Sequence, residues 1–189
     1  MTLNDVHEVW IELEKRFNGK LEFGESIKAN VLANIITAKI EYEFKGYKIN
    51  IHQGIFERGK GSLDFRPFEI KTEIETNSNF DLNTWRINFS DRLFKQNRIR
   101  TGYPEFDKII GIKGSNEMNL LEFFKNDKIR NILLIDKMIN LQIENNEGKL
   151  MIKLNVFKSS GKIENVEYQI KFFELIIEQL ENIRIISNN

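Results

Sequence analysis

Two carboxylates and a run of arginines are the residues of this chain best suited, by type and spacing, to do chemistry. Glu105 and Asp107 stand two apart behind Thr101-Gly102-Tyr103-Pro104. In an extended segment both side chains would leave one face, with Phe106 on the other, as in a paired acid–base site. The simpler reading of the same spacing is the start of a strand, with Phe106 inward and both carboxylates in water. Upstream, the segment from Arg86 to Arg100 holds Arg86, Arg92, Lys95, Arg98 and Arg100 against Asp91 alone. With Trp85, Phe89, Phe94 and Tyr103 nearby, these groups have the makings of an anion site or a base-stacking surface. Against that, Phe89 and Phe94 fit buried positions, and the whole chain is neutral, with 28 Lys plus Arg and 28 Asp plus Glu. The expectation is a solvated or internally paired basic face, with nucleic acid disfavoured. Arg86, Arg98, Arg100, Tyr103, Glu105 and Asp107 form the candidate ligand or partner surface.

Other chemistries are approached and missed. Gly54-Ile55-Phe56-Glu57-Arg58-Gly59-Lys60-Gly61-Ser62 nearly spells a phosphate loop, but Gly61 sits where the magnesium-binding hydroxyl belongs. Glu57 would lie among the phosphates, and Leu63 to Pro67 leads toward a strand where an anion-binding helix N-terminus is needed. His7-Glu8 begins like a zinc-protease signature, yet position 11 is Ile. His52 is the other of two histidines, and the chain has no cysteine. Disulfides, thiolate metal sites and cysteine nucleophiles are therefore excluded, and no catalytic residue, metal or cofactor is assigned. No Gly-x-Ser-x-Gly elbow is present.

The elements that must position these residues follow from periodicity. Val6, Val9, Trp10, Leu13 and Phe17 share one helical stripe that Thr2 or Asn4 can cap and Asn18-Gly19 ends. Leu21 and Phe23 alternate as a short strand, and residues 27–36 read as helix or strand, with the β-branched end favouring strand. Ile40, Tyr42 and Phe44, then Gly46, then Tyr47, Ile49 and Ile51 form a hairpin. Arg58 to Arg66 reads as a loop. Phe68 to Thr76 and Trp85, Ile87 and Phe89 read as strands, with a polar turn over 77–83 and a short helix after Ser90-Asp91. Gly102 and Pro104 shape a rigid turn into a strand carrying Phe106, Ile110 and Ile112. Two short helices follow, one with Met118, Leu121 and Phe124 and one with Ile129, Ile132 and Leu133. A hairpin turning at Asn145–Gly148 and a long helix over 165–184 with Val166, Ile170, Phe173, Ile176, Ile177 and Leu180 complete the chain.

The run Arg100 to Asp107, the downstream helices Met118–Phe124 and Lys128–Leu134, and the final hairpin and helix resemble a loose class of uncharacterised bacterial α+β domains. Those domains pair a glycine turn with Phe-Asp at the start of the next strand. The resemblance covers roughly the last half of the chain and implies no established catalytic residues.

Together these features predict one α+β domain over residues 1–189. Its mainly antiparallel, curved sheet has about seven or eight strands, with amphipathic N- and C-terminal helices packed on it. Fifteen Phe and 41% hydrophobic residues supply a sizeable core. No signal peptide or membrane span is read, so a cytoplasmic bacterial protein is expected. The expected function is a non-catalytic interaction or ligand-binding domain, whose partner is another protein or a small anionic ligand. Oligomeric state is left open. An immunity-type inhibitor that binds a partner is one alternative. A hydrolase or transferase using a carboxylate and arginine site is the other.

Overall fold

Two turns in which consecutive residues take left-handed backbone angles set the sheet. Lys45 and Gly46 (φ 50° and 81°) close one hairpin, and Glu147 and Gly148 (φ 52° and 85°) close another. Positive φ at both central positions gives the turn whose twist matches paired strands, and glycine adopts the second position without steric cost. The computed structural model describes residues 3–28, 33–58, 62–88, 91, 98–136, 139–157 and 162–187. In chain order the elements are α1 (Leu3–Phe17), β1 (Lys20–Lys28), β2 (Ala33–Phe44), β3 (Tyr47–Arg58), β4 (Ser62–Glu75) and β5 (Leu82–Arg86). They continue as α2 (Pro104–Ile109), β6 (Ile110–Gly114), α3 (Glu117–Phe123), α4 (Asp127–Ile135), β7 (Ile139–Asn146), β8 (Lys149–Val156) and α5 (Ile163–Asn182). The eight strands order as β1-β2-β3-β4-β8-β7-β5-β6, which places the chain in the α+β class with an antiparallel sheet.

Chain contacts define two units, each discontinuous in sequence. The first comprises residues 1–72 and 155–171. Here the inward side chains of β2 to β4, such as Ile40, Ile51 and Ile70, are buried with Val6, Trp10 and Leu13 of α1 and Val166 and Ile170 of α5. Trp10 meets Phe68 at 6.1 Å between ring centres, and Phe17 meets Tyr42 at 5.3 Å. The helix ends at the expected Asn18-Gly19, where the Gly19 N–H donates to Glu14 O. A register shift between Gln53 and Ile55 bulges β3 against β4, and buried Gln53 donates to the Arg66 carbonyl there. Strand β4 begins at Ser62, earlier than the loop expected to Arg66, and Lys60 of the near-phosphate loop lies outside the described residues.

The second unit comprises residues 73–154 and 172–189. Phe106, Phe123 and Phe124 form a ring cluster in its core, with centroids 5.1 to 5.3 Å apart in adjoining pairs. Phe172, Phe173, Ile176, Ile177 and Leu180 of α5 are buried, as the seam of that helix predicts. Gln179 of α5 joins the α3–α4 junction: it accepts from the Asn126 amide and donates to the Glu122 carbonyl. α5 closes with the Ile185 N–H on Leu180 O and the Arg184 N–H on Glu181 O, while Arg184 takes a φ of 60°. That reciprocal pattern usually carries glycine at the left-handed position.

Three local expectations are corrected in this unit. Residues 104–109 are helical, with strand structure starting only at Ile110. Proline at the first helical position is pre-set for a helix, and Phe106 and Ile110 are both buried one turn apart. β5 buries Leu82 and Thr84 in place of Trp85 and Ile87. Thr84 is tolerated inside because its hydroxyl donates to Leu141 O and accepts from Leu141 N. In α3 the buried residues are Leu120 and Phe123, with the expected Phe124 buried at its C-cap, and Met118 is left 80% exposed.

Candidate functional site

Asp107 organises the corner that carries the candidate residues. Its carboxylate accepts from Thr101 N at 3.0 Å, Thr101 Oγ1 at 2.7 Å and Gly102 N at 3.1 Å. Its own N–H donates to Tyr103 O, and its carbonyl accepts from the Arg100 guanidinium. The side chain is buried, so these bonds replace the water that an ionised carboxylate would otherwise need. Because residues 104–109 are helical, Glu105 does not share a face with Asp107 as it would in a strand; Glu105 is exposed. The structure thus joins Arg100, Tyr103 and Asp107 in one hydrogen-bonded loop and leaves Glu105 facing water.

Three arginines end three short helices. Arg100 reaches the Asp107 carbonyl near the end of α2. Arg130 donates to the Phe124 carbonyl, at the end of α3. Arg86 donates to the carbonyls of Leu133 and Leu134, in the last turn of α4. The last carbonyls of a helix lack intrahelical donors and carry the negative end of its dipole, so a guanidinium there supplies both hydrogen bonds and charge. Neither α3 nor α4 has a basic residue in its own last turn, and the arginine arrives from elsewhere in the chain or fold. Arg98 is half-buried, and Arg92, Lys95, Phe89 and Phe94 lie outside the described residues.

The Arg130 guanidinium also lies over the Tyr103 ring, 3.6 Å from its centroid. The ring is 36% exposed. Lys125 pairs with Glu122, which raises its pKa, and Tyr103 adds a smaller effect of the same sign. Sequence reasoning missed Arg130 and Lys125. Arg130 flanks the Ile129 and Leu133 stripe of α4, and only the packing of α2 beside α4 brings it to Tyr103.

No family model, curated protein or solved structure matches this chain. Among the described residues no group of three or more His, Cys, Asp or Glu is placed to hold a metal ion, and no helix is long and apolar enough to cross a membrane. A cavity of about 1090 Å³ lies in the same unit, with Glu75, Glu147, Lys149 and Arg184 on its wall. Thr76, Gly148 and Ile185 in its lining are tied together: Thr76 Oγ1 donates to Ile185 O at 2.6 Å, and Thr76 N donates to Gly148 O at 2.8 Å. Lys149 on that wall is held by Glu73 at 2.8 Å.

Proposed function

We propose that this chain is a non-catalytic interaction domain of a bacterial cytoplasm, which presents a preassembled surface to another protein. The observation that carries this reading is the use of the ionisable candidates as construction. Asp107 ties the Thr101–Gly102 loop, and Arg86, Arg100 and Arg130 donate to carbonyls at the ends of α4, α2 and α3. A hydrolase or transferase would need a carboxylate and arginines directed at a common substrate. Capture of a defined protein by the tagged chain, followed by reconstitution of the complex from purified components, is the expected result. Turnover of an ester, glycoside or phosphoester substrate that Asp107→Asn abolishes while the fold stays intact would overturn it.

A further inference from the structure

We infer that the corner at Tyr103 is the contact point for that partner, and that the partner meets it with an acidic polypeptide segment. The inference rests on the interaction reading above and assigns it a surface and a chemistry. Tyr103 is an aromatic side chain held rigidly in a partly exposed position. Pro104 follows it, its carbonyl is bound by the Asp107 N–H, its N–H is aimed at Thr101 Oγ1, and Arg130 covers one ring face. Tyrosine and arginine supply most of the strongest single contributions at protein interfaces, and an ordered surface loses little freedom on binding.

Charge around the ring points to the partner's chemistry. Arg130 lies over the Tyr103 ring, and exposed Arg100 is fixed through Asp107. Over residues 98–136 seven basic side chains stand against six acidic ones, and one of the six, Asp107, is buried among hydrogen-bond donors. Exposed Glu105 is the opposing charge on α2, and Glu122 partly offsets Lys125. Arg100 is exposed and uses one guanidinium nitrogen on the Asp107 carbonyl, and a guanidinium fork matches the geometry of a carboxylate. A carboxylate set beside the Tyr103 ring would therefore gain charge-assisted bonds and an aromatic wall together.

A random twelve-residue peptide library selected on the purified full chain tests this, with the enriched peptides then titrated by fluorescence anisotropy. Enriched sequences are expected to carry Asp or Glu beside an apolar residue. Arg100→Glu and Tyr103→Ala are each expected to weaken binding by about tenfold or more, and added salt to weaken it in the wild type. Circular dichroism of both variants separates lost contact from lost folding, and Tyr103→Ala removes no main-chain bond. Peptides that are basic or uncharged, or that bind both variants as well as wild type, would remove this surface and leave the interaction reading standing. Failure to enrich any binder would count against both.

Discussion

A carboxylate buried under three donors contributes through its removal cost. Replacing Asp107 by Asn keeps one oxygen but turns an amide N–H toward either the Thr101 or the Gly102 donors, leaving at least one part-buried bond unmade. Asp107→Asn is expected to lower the unfolding free energy by about 1–3 kcal/mol in urea titration. Glu105→Gln, on an exposed helical position, should change it by less than about 0.5 kcal/mol. Equal effects at both positions would contradict the burial difference. The sequence identified these two residues and the turn beside them. It could not separate their roles, because an i, i+2 pair shares a face in a strand and parts by about 200° in a helix. The Tyr103–Arg130 contact was illegible for a different reason: nothing in local spacing ties two residues whose helices meet only through tertiary packing.

Elements fixed by local chemistry were read well. Asn18-Gly19, Gly46 and Gly148 each mark a boundary through a backbone need that only a few residue types meet. The seams of α1 and α5 were legible because long amphipathic helices repeat their signal over several turns. Short elements were not. β5 has five residues and α3 seven, too few for the period to decide which face is buried: β5 slipped out of phase, and at α3 Phe124 was buried as expected while Met118 was not. Within the first unit, α1 and α5 are joined by Arg16, which bonds Glu12 at 3.0 Å and Glu167 at 2.7 Å. Hydrogen bonds from Lys171 first and Arg16 second hold the Glu167 carboxyl below its ordinary pKa. A lowered folded-state value stabilises the fold above the unfolded pKa of roughly 4.3 and ceases to do so as pH falls through the folded value. Wild type should therefore exceed Glu167→Gln in stability at pH 7, and the two melting curves should converge in acid below that range.

At the scale of the molecule, composition and strand patterning were enough to place the chain in the α+β class. The division of contacts was not readable, because it depends on which distant segments return to which strands. The chain passes between the two units within β4, β8 and α5, so neither unit is one continuous stretch. Residues 1–72 alone lack the 155–171 segment that buries Val166 and Ile170 in the same unit and supplies the Glu167 partner of Arg16. That fragment is expected to show no cooperative thermal transition by circular dichroism, and a native-like melt would refute the assignment of 155–171 to its core. The same division separates the two tryptophans: Trp10 is buried in the first unit, and Trp85 lies in the second, its ring packed so close to Gly111 that a methyl group there would meet the indole at 2.3 Å. Each unit thus contains its own intrinsic fluorophore, and a pair of single-tryptophan chains would report on the two halves separately without any added label.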